Sequence, residues 1–297
     1  MSPELLKQLL GGIAPPFALA LLLFLPRLRR AGDASRAEAG IGPLGALGLG
    51  LGVALGSMFL LGGLDAVLRP VSVTQKLAWL ALAAGFAGAL DVFLGARPGL
   101  HLAARVFVRA GVPAAALWWM LGFLRASRFE ETAEYALFIA AAAAAVGLLW
   151  SALDLLGALR PGPSLPIAWT ASVAATGAAL VVARSAALGQ IAGALASAVG
   201  ALALAALLNR RLAARGAGGP VALILSGLLL AGHFAAELSL TGALLCAAAP
   251  LLPALVELLP LRRTQPFTAL VLRVMLAVGP PLCAAWLAYE PAAADAY

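Results

Sequence analysis

The stretch SLPIAWTASVAATGAALVVARSAALGQIAGALASAVGALALAALL, residues 164–208, decides the fold. Arg184 is its single charged residue. One membrane-crossing helix needs about 20 residues, because ~30 Å of hydrocarbon is crossed at a rise of about 1.5 Å per residue. This stretch is about twice that long, so we predict two transmembrane helices joined by a turn near Arg184–Gln190. Residues 219–260 pose the same problem, and there we predict a turn at Ser239–Gly242.

The composition extends this prediction to the whole chain. Hydrophobic residues make up 63% of the sequence, charged residues 11%, and the mean hydropathy is +1.00. Soluble domains have about 45–50% apolar and about 25% charged residues. A β-barrel would show short segments of alternating hydrophobicity, whereas the apolar runs here are continuous. We predict an all-α, polytopic transmembrane helical bundle that forms one domain over residues 1–297, without a soluble domain and surrounded by membrane lipids.

About ten helices fit the apolar runs, and the basic residues between them predict an orientation. The predicted spans are 8–26, 41–63, 76–95, 106–124, 135–157, 165–185, 189–208, 219–237, 242–260 and 267–289. Short loops rich in Lys and Arg remain on the cytoplasmic side of a membrane. With the N-terminus outside, thirteen basic residues lie on the inner side and six on the outer side. We therefore predict a multi-pass protein of the inner (plasma) membrane with both termini on the outer, periplasmic side.

The formal net charge of +7 does not indicate a nucleic-acid partner. The basic residues lie in short loops between apolar runs, where they determine topology and contact anionic lipid. No nucleic acid is therefore predicted as a partner, and the sequence names no protein partner.

Six ionisable residues in or beside the spans are candidate functional residues. A charge inside a membrane span costs about 2.5–3.5 kcal/mol on insertion scales, so such residues are functional hypotheses by default. We expect Asp91, Asp154 and Arg184 to be interfacial, because each lies within a turn or two of a predicted helix end. The full set of candidates is Asp91, Asp154, Arg184, His233, Glu237 and Arg273.

His233 and Glu237 are four residues apart, on one face of the eighth predicted span. They could share a proton or offer two metal ligands. Alternatively they form a structural pair near a helix end, with Arg184 as a partner from the neighbouring hairpin. No metal is predicted, because His101 is the only other histidine and belongs to an inner loop.

Arg273 is the deepest of these charges, about 9 Å inside the last span at a rise of about 1.5 Å per residue. It either extends to the head groups or forms a buried pair with Asp91 or Asp154. Pro280-Pro281 follows it in the same span, and Pro15-Pro16 occurs in the first span. Prolines remove backbone donors, so we expect both helices to be kinked or broken.

A short string recurs where hydrophobic runs end. Leu64-Asp65 is followed by Arg69-Pro70, Leu90-Asp91 by Arg97-Pro98-Gly99, and Leu153-Asp154 by Arg160-Pro161-Gly162. An arginine in the last turn complements the helix dipole, and Pro and Gly end the helix. The alternative is a set of Asp–Arg pairs that line an inner vestibule.

Enzyme signatures are missing from the sequence. It contains no H-E-x-x-H, no C-x-x-C and no G-x-x-x-x-G-K-[ST] pattern. No cofactor is predicted, and a membrane-embedded enzyme stays an open alternative for which the sequence offers no nucleophile and base on separate helices.

Two families share local features with the chain. Asp91, Arg97-Pro98, Pro113 and Trp118-Trp119 resemble the Asp, Arg-Pro and Trp pattern of the NrfD/polysulfide-reductase membrane subunits, over about 35 residues. That resemblance implies quinone binding without haem, with Asp91 and Arg97 at the quinone. The run from Gly227 to Leu252, in an Ala- and Leu-rich chain, resembles uncharacterised multi-pass membrane proteins of planctomycete-type bacteria. This second resemblance implies no activity.

Two function hypotheses follow. The first is transport or flipping of a small solute or lipid, which predicts that Asp91, Asp154 and Arg273 face one central cavity. The second is an accessory or quinone-interacting membrane subunit of a larger complex, which predicts a peripheral redox partner.

Overall fold

The computed structural model describes residues 3–29, 40–96, 102–258 and 266–294. Every regular element in these ranges is a helix, so the all-α prediction is confirmed for them. The helices are α1 (Pro3–Arg29), α2 (Gly42–Leu60), α3 (Leu64–Leu68), α4 (Val73–Gly95), α5 (Leu102–Met120), α6 (Gly122–Ser127), α7 (Thr132–Leu159), α8 (Ser164–Val182), α9 (Ala186–Leu208), α10 (Gly218–Ala235), α11 (Leu240–Ala248), a 3-10 helix (Leu252–Leu258) and α12 (Pro266–Ala294).

Seven of the described helices are long and apolar enough to cross a membrane, namely α2, α4, α7, α8, α9, α10 and residues 266–289 of α12. This set is compatible with an integral membrane protein. The other three predicted spans coincide with α1, with α5, and with α11 together with the 3-10 helix, which do not meet the same criterion of length and hydropathy.

Both turns predicted inside the long apolar stretches are present. α8 ends at Val182 and α9 begins at Ala186, with Arg184 between them in the left-handed region at φ 61°. The Ser185 hydroxyl caps α9 by accepting from the Leu188 amide at 3.4 Å. In the second turn the Ser239 hydroxyl accepts from the Gly242 amide at 3.0 Å and starts α11. These hydroxyls satisfy amides that a helix N-terminus otherwise leaves without partners.

Neither helix with paired prolines is broken at them, and a break lies around other prolines. α12 continues through Pro280-Pro281, and α1 continues through Pro15-Pro16. The predicted span 242–260 is instead divided into α11 and the 3-10 helix, around Pro250 and Pro253. The Pro250 carbonyl is satisfied from outside this segment, because the Trp169 indole N–H donates to it at 3.0 Å. A side chain from α8 thus stabilises the broken segment.

The helices pack with α9 and α10 at the centre and α7 and α12 more exposed. α2 lies between α1 and α4, α8 lies between α9 and α12, and α10 contacts α4 and α7. Glycine permits the closest of these approaches. A Cβ atom on Gly50 would lie 2.4 Å from the Ala81 carbonyl oxygen, so α2 and α4 meet backbone to backbone.

Backbone contacts between connections define two ends of the bundle. At one end, the Ile41 amide donates to the Arg215 carbonyl at 3.0 Å and the Gly162 amide donates to the Leu212 carbonyl at 2.9 Å. We call this the Asp91 end. At the other end, the Glu237 amide donates to the Ala183 carbonyl at 3.1 Å. We call this the Glu237 end.

Candidate functional site

Three helices bring charged side chains together at the Asp91 end. α4 contributes Asp91 one turn before it ends at Gly95, α5 contributes Arg105 and Arg109, and α7 contributes Ser151 and Asp154. Four residues separate the two arginines, so they lie on one face of α5. We call these five residues the Arg109 cluster.

Asp91 is bound by both arginines. Its Oδ1 accepts from Arg105 Nε at 3.1 Å and from Arg109 Nε at 3.0 Å. Its Oδ2 accepts from Arg105 Nη2 at 3.4 Å and from Arg109 Nη2 at 2.7 Å. Two side-on guanidinium groups therefore hold one carboxylate, a geometry that gives strong, charge-assisted hydrogen bonds. Asp91 is only 2% exposed, because side chains of the neighbouring helices cover it one turn before the end of α4, and its interfacial position stays a prediction.

Asp154 is also buried, at 7% exposure, and joins α7 to the connection before α10. Its Oδ1 accepts from the backbone amides of Gly216 and Gly218 at 3.0 and 3.1 Å. Its Oδ2 accepts from Arg109 Nη2 at 2.8 Å and from Trp150 Nε1 at 3.2 Å. Gly216 has φ 95°, a left-handed conformation that favours glycine, and its amide is one of the two that bind Oδ1.

Arg109 is the residue that connects α4 to α7. Besides the two carboxylates, it donates from Nη1 to the Ser151 hydroxyl at 2.9 Å, and that hydroxyl donates to the Gly147 carbonyl at 2.8 Å. The guanidinium carbon lies 5.6 Å from the centre of the Trp150 ring, within the range of a cation–π contact. All three guanidinium nitrogens of Arg109 are thus hydrogen-bonded.

The local sequence explains why α5 and α7 approach so closely here. Pro113 lies inside α5 and lacks an N–H, so it cannot donate to the Arg109 carbonyl four residues earlier. That carbonyl faces Gly147 of α7, where an added Cβ would lie 2.8 Å from the oxygen. The proline and the glycine together bring Arg109 within reach of Ser151 and Asp154.

The charges of the cluster balance, since Asp91 and Asp154 oppose Arg105 and Arg109. Burying an isolated charge is strongly unfavourable, and removing one member of a buried pair typically costs about 3–5 kcal/mol. The cluster is therefore sensitive to the loss of any charged member.

A cavity of about 200 Å³ opens beside the cluster. Asp91, Arg105, Asp154, Arg215 and Gly216 contribute to its walls. The Arg105 side chain is 30% exposed. Arg215 is exposed, and its guanidinium makes no hydrogen bond or ion pair within the described ranges.

Arg273 belongs to a different group of charges. Its Nη2 donates to Glu257 Oε1 at 2.7 Å, and Arg160 Nη2 donates to Glu257 Oε2. The predicted pairing of Arg273 with Asp91 or Asp154 is therefore wrong, and Arg273 does not line the cavity that those two residues share. Arg273 meets Glu257 rather than the aspartates because its helix, α12, packs against α8 and the 3-10 helix.

The recurring Asp…Arg strings contribute Asp91 and Asp154 to Asp–Arg pairs at the cavity, and the partner arginines come from α5. Arg160 binds Glu257, and Asp154 binds Arg109 instead. Arg97 and Pro98 lie outside the described residues, as does His101. Of the other residues in the NrfD-like pattern, Trp118 lies toward the Glu237 end of α5, where its carbonyl accepts from Tyr135 Oη at 2.8 Å. Asp91 and Trp118 are thus at opposite ends of the bundle.

The remaining candidates lie at the Glu237 end. Arg184 Nη1 donates to Glu237 Oε1 at 2.9 Å, as the structural alternative predicted, and both side chains are more than half exposed. α10 ends at Ala235, so Glu237 lies beyond the helix and does not pair with His233. The described residues include no group of three or more His, Cys, Asp or Glu arranged to hold a metal ion.

His233 Nδ1 lies 3.0 Å from the Leu238 carbonyl oxygen. A carbonyl only accepts hydrogen bonds, so Nδ1 carries a proton and Nε2 of the neutral ring is an acceptor. His233 and Ser226 are the polar members of a groove of about 530 Å³ between α7, α10 and α11. The other lining residues are Ala, Leu and Val.

The sequence reasoning missed Arg109 and Arg105 as candidates. Their signal was present, because two arginines four residues apart begin the helix that directly follows Asp91. Antiparallel neighbours joined by a short connection place such residues side by side. A second signal for the cluster is a polar patch over one turn of the otherwise apolar α7, formed by Trp150, Ser151 and Asp154.

A search with protein-family models found no match to the chain, and neither did a search of curated proteins.

Proposed function

We propose that this chain is an integral inner-membrane protein that moves a small solute across the bilayer or flips a lipid. In this proposal the polypeptide crosses ten times, through α1, α2, α4, α5, α7, α8, α9, α10, α11 with the 3-10 helix, and α12. Both termini then lie on the outer side. The distribution of basic residues along the sequence supports this orientation, since thirteen fall in segments assigned to the inner side and six in segments assigned to the outer side.

The observation that carries the proposal is the bridge from Arg109 to Asp91 and Asp154, next to an open cavity. One guanidinium holds α4, α5 and α7 together, and Asp154 adds the connection before α10. A purely structural core would avoid the desolvation of these charges, since apolar replacements of buried ion pairs are often neutral or stabilising. Transport supplies a reason to keep them, because a hydrogen-bonded bridge closes the inner end and can open again.

Purified protein reconstituted into liposomes tests this proposal. Lipid flipping is measured with vesicles that contain NBD-labelled phosphatidylethanolamine, by the fraction of label that external dithionite bleaches. Solute movement is measured as transient current on a solid-supported membrane, with panels of carboxylates, phosphate, amino acids and sugars. We expect activity in one assay, its loss in Arg109→Gln, and full activity in the control Arg184→Gln. Activity equal to empty liposomes in both assays, from monodisperse protein, would overturn the proposal.

The groove between α7, α10 and α11 favours a second candidate, a quinone-interacting subunit of a larger complex. Its apolar walls suit an isoprenoid tail, and His233 Nε2 offers an acceptor to a quinol hydroxyl. Extraction of gently purified protein and chromatography of the lipids would detect bound quinone. This candidate predicts quinone and a peripheral redox partner with the wild type and loss of the quinone in His233→Phe. Quinone-free protein that purifies alone would exclude it.

A further inference from the structure

We propose that the cavity at the Asp91 end binds an anionic group, a phosphate or a carboxylate, through Arg105 and Arg215. This inference deepens the proposed function and rests on it, because it assigns a substrate class to the same site. The existing hydrogen bonds of the side chains that line the cavity support an anionic ligand.

The two carboxylates in the cavity wall have no acceptor capacity left. A carboxylate offers about four lone-pair positions. Asp91 accepts four hydrogen bonds, all from Arg105 and Arg109. Asp154 also accepts four, from Gly216, Gly218, Arg109 and Trp150. A cation or a hydrogen-bond donor that entered the cavity would therefore find both carboxylates occupied.

Two arginines at the cavity, in contrast, still have hydrogen-bond donors that could bind a ligand. Arg105 uses Nε and Nη2 on Asp91, and its Nη1 makes no hydrogen bond within the described ranges. The whole Arg215 guanidinium is without a partner in that part of the chain. Guanidinium groups match the oxygens of phosphates and carboxylates, which they bind through two parallel N–H donors.

The local charge favours an anion as well. Among the described residues of the cavity wall and the Arg109 cluster, Arg105, Arg109 and Arg215 carry three positive charges against two negative charges on Asp91 and Asp154, which leaves a net charge of +1. A volume of about 200 Å³ corresponds to about seven water molecules at their volume in the liquid, so a phosphate or carboxylate fits with some of its hydration.

The cavity opens at the end of the bundle where backbone connections meet, which the proposed topology puts at the inner membrane surface. Two sources of the anionic group are accessible there, the head group of an anionic phospholipid and a free anion from solution. Both present the same oxygens to Arg105 and Arg215.

Equilibrium binding to the full-length protein in a neutral maltoside detergent tests the site without requiring transport. In one arm, thermal unfolding is followed against sodium phosphate, with sodium chloride at equal ionic strength as reference. In the other arm, native mass spectrometry compares adducts of dioleoyl phosphatidic acid with those of dioleoyl phosphatidylcholine. The variant is Arg215→Gln, since this side chain holds no other described group in place. The matched control is Arg211→Gln, another exposed arginine of the same connection.

We expect the wild type and Arg211→Gln to bind phosphate, phosphatidic acid or both, and Arg215→Gln to bind about tenfold more weakly or worse. Binding of phosphate alone assigns the site to a free anion, and binding of phosphatidic acid alone assigns it to a lipid head group. Equal affinity in Arg215→Gln and Arg211→Gln, or no binding of either probe by the wild type, overturns the inference. Binding without any flux in liposomes would leave the anion site standing and reject the transport proposal.

Discussion

Arg109 and Asp154 meet between α5 and α7 with 2.8 Å between Nη2 and Oδ2, and the same Nη2 also lies 2.7 Å from Asp91 Oδ2. One nitrogen of Arg109 thus joins two carboxylates on different helices. Asp154 is 45 residues from Arg109 along the chain, and Asp91 is 18 residues from it. This shared donor makes the cluster a single unit. A change at either carboxylate or at the arginine is expected to affect all three helices.

Arg109→Gln leaves Asp154 buried without its charged partner, while Arg105 still binds Asp91. We expect a loss of about 3–5 kcal/mol in the free energy of unfolding, measured in mixed micelles of maltoside and dodecyl sulfate. The double variant Arg109→Gln/Asp154→Asn removes both charges and should recover about 1–3 kcal/mol relative to the sum of the single losses. Strict additivity would mean that the two residues do not interact in the membrane-mimetic environment.

Gly147→Leu tests the close approach of α5 and α7. Its first side-chain carbon would lie 2.8 Å from the Arg109 carbonyl oxygen, so α5 must move and the bond from Arg109 to Ser151 lengthens. We expect a destabilisation of about 1–3 kcal/mol and a loss of flux in liposomes. Gly193→Ala is the control, because nothing lies within 4 Å of the added carbon and helix propensity improves. A Gly147→Leu protein as stable and active as this control would contradict the packing.

Glu257 and Glu237 permit a comparison between a half-buried and an exposed ion pair. Glu257→Gln removes the partner of Arg273, which is 7% exposed, and also a partner of Arg160. We expect it to cost about 2–4 kcal/mol of unfolding free energy, since a buried guanidinium loses its counter-charge. Glu237→Gln breaks the exposed pair with Arg184 and should cost about 0–1 kcal/mol. Equal costs would show that burial does not determine the contribution of these pairs.

Local sequence signals predicted the two turns inside the long apolar runs, but not the division of the predicted span 242–260. Ser185 and Ser239 interrupt apolar runs that are too long for one span, and both cap the helices that follow them. The positions of prolines did not predict where a helix is broken. Pro250 and Pro253 accompany a break, whereas Pro280 lies inside a continuous helix, because neighbouring side chains such as Trp169 determine which break is stabilised.

The pairing of charges was the part that the sequence could not supply. Asp91 and Asp154 were among the candidates, whereas Arg109, the residue that joins them, was not. Arg273 was expected at the same cavity and binds Glu257 instead. Hydropathy predicts where helices begin and end along the chain, whereas these pairs depend on which helices are lateral neighbours. That order is set by packing between small residues such as Gly50 and Gly147, which has no signature in the spacing of charges.

The most direct test of the central claim, a membrane-embedded bundle whose Asp91 end opens to the cytoplasm, is cysteine labelling with an impermeant maleimide. Ala96→Cys places a thiol at the wall of the cavity, and Glu237→Cys places one at the opposite end, each in a chain that lacks Cys246 and Cys283. We predict that Ala96→Cys reacts in inside-out vesicles and not in intact spheroplasts, and that Glu237→Cys shows the reverse. Labelling of both thiols from one side, or of Ala96→Cys from outside, would contradict the account.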